Sequence, residues 1–540
     1  MRRALLCCAL ISIVAAACSS SSATSAPWQG PGPQNAPATP APVPASTPAP
    51  QWPQATAYPW QTPCPWQTPY PWATAVPQPT PAQRPYPPVT FPSLGTNPYV
   101  DTTVDHLSTF GLDVDTASYT VARNYIAQGL RPDPASIRPE EWVNYFDQGY
   151  AAPETGAFAI HADASPTPFL SSGEVLLRVG VKARDVAAAT RPSAALTFVV
   201  DVSGSMNDGG RLELVKRSLG LLVAQLRGDD SVGIVAFTTS AFVILQPMSA
   251  ENRQAILAAI STLHPMDSTN VSDGLRLGYD MARRQYRQNG INRVVLATDG
   301  VANTGTVDAQ NILDEVGTAT TSHIQLVAIG VGMGNYNDAL LEQLADRGEG
   351  FYAYVDNPDE ARRVFVDQLT TTIDTVALDA KAQIDFNPAT VAGYRLIGYE
   401  DRGVPDDQFR NPEEKGGAIG AGHQVTALYA LFLRPSESRD PRLATVTLRW
   451  TDPRSGQATE LARDVNRSDI ASSFAAANAR FKLDSLVAAT AEVLRHSPWI
   501  PGYTMRDLQA VAEPLSGQLP DTEQSRDFVK LIQQVKTWGD

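Results

Sequence analysis

Three short polar clusters carry most of the oxygen chemistry in this 540-residue chain: Asp201-Val202-Ser203-Gly204-Ser205, Asp267-Ser268-Thr269-Asn270 and Thr298-Asp299-Gly300. They offer carboxylates and hydroxyls, with no thiolate or imidazole. A hard cation such as Mg²⁺ takes oxygen ligands in near-octahedral geometry and keeps several of its waters. Two hydroxyls and one or two carboxylates supply few direct ligands. A cation held this way stays coordinatively open, and a partner's carboxylate fits the vacant position.

For the clusters to converge, the elements carrying them must end at one place. The run Ala195-Leu196-Thr197-Phe198-Val199-Val200 reads as a strand buried on both faces. Leu212, Val215, Leu219, Leu222, Val223 and Leu226 follow at helical spacing. Buried runs recur at 232–237, 293–297, 324–331 and 351–355, with helical patterns at 252–263, 274–287, 309–320, 339–345 and 360–369. Such alternation predicts an α/β fold with a doubly wound, mostly parallel sheet. Ligands of these sheets sit beyond the carboxyl ends of the strands. The first and third clusters fall at such ends, and the second in the loop before a helix.

Taken together, Asp201-x-Ser203-x-Ser205, Thr269 and Asp299 resemble the metal-ion-dependent adhesion site of von Willebrand factor type A (VWA) domains. The resemblance implies that these five residues hold Mg²⁺, or another divalent cation such as Mn²⁺ or Ca²⁺, directly or through water. It also implies that an acidic residue of a partner completes the shell. Asp267 stands where related sequences often have glycine, which puts an extra charge near the cation. Leu112-Asp113-Val114-Asp115-Thr116-Ala117-Ser118-Tyr119, Glu140-Glu141-Trp142-Val143-Asn144-Tyr145-Phe146, Tyr399-Glu400 and Gly420-Ala421-Gly422-His423-Gln424-Val425-Thr426-Ala427-Leu428-Tyr429 resemble the flanks of one bacterial VWA lipoprotein family. That likeness covers about residues 96–540. It implies an envelope protein and no defined activity.

The N-terminus reads as an address. Met1-Arg2-Arg3, an apolar run to Ala17 and then Cys18 have the order of a secretory signal. Ala15-Ala16-Ala17-Cys18 resembles a lipobox, with Ala15 where many have Leu, so Cys18 is the expected lipidation site. Several acyl chains on one residue give stable anchoring. Residues 27–98 contain 23 of the 43 prolines, and a Pro-Trp repeat runs from Pro59 to Thr74. Proline removes backbone donors, so a disordered tether is expected, on the order of 200 Å when fully stretched.

The expected layout is a signal peptide at 1–17, the tether at 18–98 and a flanking domain at 99–190, helical from Asp101 to Phe146 and then stranded. A VWA domain at 191–375, a β-rich domain at 376–466 and a helical segment at 467–540 follow. In the last segment Asp521 is placed as the N-cap of the final helix. Strand-like runs on both sides of the α/β unit are compatible with one antiparallel β-sandwich into which that unit is inserted.

Charge and residue types exclude several functions. Residues 1–98 carry only Arg2, Arg3 and Arg84, leaving 39 Lys plus Arg against 56 Asp plus Glu in the rest. That excess of acid opposes binding to a phosphate backbone, so no nucleic-acid partner is expected. All four cysteines lie at or before Cys64, so the foldable region has no disulfide. Gly330-Val331-Gly332-Met333-Gly334 lacks full dinucleotide-loop spacing, because Asn335 follows. Ser205 is outside any G-x-S-x-G elbow, and His264 is the only histidine near a cluster in sequence. Asp113 and Asp115 read as turn stabilisers over a second cation site, and His423 as a local hydrogen-bonding residue. The expectation is a non-enzymatic, metal-dependent protein-binding lipoprotein, extracytoplasmic and lipid-anchored to a bacterial membrane. A metal-assisted hydrolase and a passive scaffold are the alternatives.

Overall fold

Continuous apolar runs become buried strands and alternating ones become half-covered strands in the computed structural model. It describes residue 91 and residues 94–535, except 113–114, 188, 267, 301–310, 313, 315–323, 333–337, 369–373, 415 and 436–440. Cys18, Cys64, Asp113, Asp267 and most of the helix expected at 309–320 lie outside the described residues, as does the tether up to residue 90. Upstream of the α/β unit are β1 (Val100–Asp101), β2 (Leu107–Gly111), β3 (Phe158–Ser165) and β4 (Glu174–Ala183). The unit itself holds β5 (Ala194–Asp201), β6 (Ser231–Phe237), β7 (Ala241–Ser249), β8 (Ile291–Thr298), β9 (Gln325–Val331) and β10 (Phe351–Val355). Downstream are β11 (Thr375–Phe386), β12 (Val391–Ile397), β13 (Gly417–Gly420), β14 (Gln424–Leu433), β15 (Arg442–Thr451) and β16 (Ala458–Asn466).

The central sheet runs β10-β9-β8-β5-β6-β7, parallel except for the edge strand β7. Every residue of β5 is buried. Leu196, Phe198 and Val200 enter one core with Leu212, Val215 and Leu219 of the Arg211–Gln225 helix. Val199 points to the opposite core with Leu275 and Tyr279 of the Val271–Arg284 helix. That helix lies close because Gly274 and Gly278 face the sheet. A Cβ on Gly278 would sit 2.3 Å from Val199 Cγ2, and one on Gly274 2.6 Å from Phe237 Cδ1.

Strands from both flanks form one sandwich around the inserted unit. One sheet runs β1-β12-β14-β4-β3, the other β13-β11-β15-β16 with β2 on β11. Here β4 pairs with β14 from Glu174↔Phe432 to Gln424↔Lys182, joining residues on opposite sides of the α/β unit. The same is true of β2 and β11. Val175, Leu177, Val179 and Val181 of β4 face Ala444, Val446 and Leu448 of the second sheet in a common core. Leu176 and Leu428 point the other way, into a helical layer built on Trp142, Leu486, Leu508 and Phe528. Among the described residues no helix is long and apolar enough to cross a membrane.

Two local expectations are corrected. The stretch from Asp101 to Phe146 is not mostly helical, since Leu107–Gly111 is a strand and the helices are Ala117–Ala127 and Pro139–Asn144. Register with β11, from Leu107↔Asp385 to Gly111↔Lys381, fixes that strand. A pairing so distant in sequence leaves no local mark. The final helix, Glu523–Val535, is capped by Thr522, whose hydroxyl accepts from Ser525 N at 3.2 Å. Asp521 instead pairs with Arg526.

Candidate metal centre

Parallel strands bring their carboxyl ends to one edge, and β5 and β8 are neighbours there. Val200 lies beside Ala297, so Asp201 and Asp299 emerge from adjacent strand ends. Both are fully buried. Asp201 Oδ1 accepts from Ser203 N at 2.8 Å, and Thr298 Oγ1 donates to Asp201 Oδ2 at 2.6 Å. Ser203 Oγ and Ser205 Oγ lie 3.1 Å apart. Ser203 is buried, while Gly204 is exposed and Ser205 half-buried, so the cluster opens to solvent at that turn.

The loop carrying the second cluster is tied by one backbone bond to the first loop and by another to the turn after β6. Met266 N donates to Val202 O at 2.6 Å, and Asn270 N to Thr238 O at 2.7 Å. Between these anchors Thr269 is fully buried and Ser268 adopts a left-handed φ of 59°. The five residues singled out in the sequence therefore come from loops held at the same edge. Asp267 is outside the described residues.

Burial, and then the charge of Asp299, pushes the Asp201 carboxyl up to about 7. Two carboxylates in one dry site strain each other unless a cation joins them. Asp299 Oδ2 accepts from Arg211 Nη1 at 2.7 Å, whereas its buried Oδ1 takes no hydrogen bond among the described residues. A buried carboxylate oxygen without a donor is costly and calls for a ligand. The donor set of two hydroxyls, a buried threonine and two carboxylates fits a hard divalent cation. No group of three or more His, Cys, Asp or Glu converges on a cation position among the described residues. Here hydroxyls make up the set, since only two carboxylates meet.

Thr298 and Arg211 were not among the five residues read from the sequence. Thr298 adjoins Asp299, but nothing in the sequence says that its hydroxyl turns back to Asp201. Arg211 carries no local signal that separates it from an ordinary helix residue. Thr298→Val should leave Asp201 Oδ2 without its donor and lower stability by about 1.5–3 kcal/mol, the usual worth of a hydrogen bond to a charged group. Chemical denaturation without metal measures this, and a loss within error would contradict it.

The signals set aside have structural partners. Asp115 Oδ1 accepts from Tyr352 N at 2.9 Å, and its Oδ2 lies 3.4 Å from Arg402, tying the flank to β10. His264 is exposed, its Nδ1 2.9 Å from Thr262 O. Gly420 N donates to His423 Nδ1 at 3.3 Å, and burial, with Arg293, Lys182 and Arg363 nearby, pushes that imidazole down to about 3.

A mostly parallel sheet with an Asp-x-Ser-x-Ser turn at its carboxyl edge defines a VWA-type domain, here set into an antiparallel sandwich. The family description "von Willebrand factor type A domain" matches residues 195–368, and "von Willebrand factor" matches 88–178. "Uncharacterized protein YfbK, C-terminal" matches residues 371–538. The protein YfbK of Escherichia coli (strain K12) is 34% identical over 462 residues, spanning 81% of this chain and 79% of its own length. The chain belongs to the bacterial VWA family that includes YfbK. Protein sll0103 of Synechocystis is 28% identical over 292 residues, 53% of this chain and 68% of its own. The solved structure of a von Willebrand factor type A protein from Catenulispora acidiphila aligns at 19% identity with a TM-score of 0.43, covering 72% of this chain and 91% of that one.

Proposed function

We propose that this protein is a metal-dependent protein-binding component of the bacterial cell envelope, of adhesion or scaffold type, and not an enzyme. Asp201, Ser203, Ser205, Thr269 and Asp299 would hold a divalent cation, Mg²⁺ in the first instance. Bound there, it would supply the Lewis acid that recruits an acidic side chain of a partner protein. Ser203 and Ser205 would turn their paired hydroxyls toward the cation, and Thr298 and Ser203 N fix the Asp201 carboxylate. Lipid on Cys18 would anchor the chain on the extracytoplasmic side, with the proline-rich segment as spacer.

The observation that carries this reading is the buried, undonated Asp299 Oδ1 beside a second buried carboxylate and a pair of hydroxyls at the mouth. The test is crosslinking and pull-down of the full chain from membranes, with Mg²⁺ or with chelator. Specific proteins are expected to be captured with Mg²⁺ and lost both in chelator and with Asp201→Asn. Equal capture under all three conditions would refute the reading.

A further inference from the structure

Arg211 opens the Arg211–Gln225 helix, where the helix dipole disfavours a cation. Its side chain is nonetheless buried, and it is committed to the site. Nη1 donates to Asp299 Oδ2 at 2.7 Å and to Ser205 O at 3.1 Å, so one nitrogen touches the loops after both β5 and β8. Neither bond uses the Ser203 and Ser205 hydroxyls or Asp299 Oδ1. A third loop makes room for it: at Gly332, with φ of 78°, a Cβ would lie 2.0 Å from Arg211 Nε and 2.3 Å from Cδ. This accounts for a glycine that the sequence presents as part of an incomplete dinucleotide loop. Any side chain there displaces the guanidinium.

We infer that Arg211 sets the net charge of the centre and so its preference for an anionic partner, an inference that rests on the cation reading above. Asp201 and Asp299 together balance one divalent ion. The guanidinium adds one positive charge beside Asp299, so the loaded centre is more positive by one unit than it would be without Arg211. Charges this deeply buried are weakly screened by salt. Arg211 therefore opposes cation entry and favours capture of a carboxylate. Its removal moves the two affinities in opposite directions, which loss of a purely structural residue does not do.

The test uses the full chain, with Mn²⁺ as the metal and acetate as the probe anion. Calorimetry reads Mn²⁺ binding, and water-proton relaxation reads displacement of Mn²⁺-bound water by acetate. A neighbouring unit charge alters a carboxylate's proton affinity by about ten-fold to a thousand-fold. Arg211→Gln should accordingly tighten Mn²⁺ binding by at least about ten-fold and weaken acetate binding by a comparable factor. Arg211→Lys should stay within about three-fold on both, because it keeps the charge. Gly332→Ala should shift both in the direction of the Gln variant. Weaker Mn²⁺ binding in a folded Arg211→Gln protein, or two unchanged constants, would overturn the inference and leave the cation reading standing. A wild-type chain that is folded yet binds no Mn²⁺ would overturn both.

Discussion

Asp201→Asn is expected to abolish the rise in melting temperature that Mg²⁺ gives the wild-type protein. The substitution keeps the shape of the side chain. An amide oxygen still accepts from Ser203 N, and the amide nitrogen still reaches Thr298 Oγ1. What disappears is the negative charge facing the cation. A ligand at a hundred times its Kd stabilises the folded state by about 2.7 kcal/mol. For a unit the size of the VWA domain, that is a rise of about 5–10 °C in the wild type, at about 2–4 °C per kcal/mol. The variant should show less than about 1 °C. The metal-free variant should melt no lower than the metal-free wild type. Burial and Asp299 push the Asp201 carboxyl up to about 7. Its contribution to stability is therefore present below the ordinary carboxylate pKa and lost as pH rises through 7, a loss that asparagine does not suffer. Calorimetric scans at pH 7.5, with Mg²⁺ or chelator, measure both effects. An undiminished Mg²⁺ response in the variant would remove Asp201 from the centre.

The α/β unit was legible because its physics is local. Each strand of the parallel sheet is a continuous apolar run, since both faces are covered, and each helix between them keeps its own period. The positions of Asp201 and Asp299 followed from those runs, because a strand's carboxyl end is defined by where its apolar stretch stops. The sandwich was only partly legible. Strand-like apolar runs marked β4 and β14, but which strands pair depends on residues about 250 apart in sequence, such as Val179 and Ala427. Strand β16, largely exposed, and the short β2 lack the apolar signal altogether; their partners define them. At the centre, residues with conspicuous types were found and those acting through orientation were missed. Thr298 and Arg211 are ordinary in sequence and become informative only when a hydroxyl and a guanidinium are seen to meet carboxylates.

The amino end of β5 should behave oppositely to its carboxyl end. Asp230, fully buried, accepts from Arg191 Nη1 at 2.8 Å and Nη2 at 2.5 Å, from Ala194 N at 2.8 Å and from Arg227 N at 2.7 Å. Ala194 is the first residue of β5 and Asp201 the last, about 23 Å apart at the usual strand rise. Burial alone would raise the Asp230 carboxyl, but the Arg191 bonds and the two backbone donors hold it below the ordinary range. The stability it contributes is therefore present above the free carboxylate pKa and lost as pH falls through its lowered value. Asp230→Ala leaves the Arg191 guanidinium buried without its counter-charge, at a cost of about 3–5 kcal/mol. The melting temperature should fall on the order of 10 °C. Replacing Arg191 and Asp230 together by leucine should recover part of that loss, because the uncompensated charge is gone while Ala194 N and Arg227 N still lack their acceptor. In both variants the Mg²⁺-induced rise should match that of the wild type, since the loops at the other end of the strand are intact. A drop under about 2 °C in the single variant would show that the clamp contributes little. Loss of the Mg²⁺ response in the recovered double variant would show that the two ends of β5 are coupled, against the separation of scaffold and site drawn from their positions.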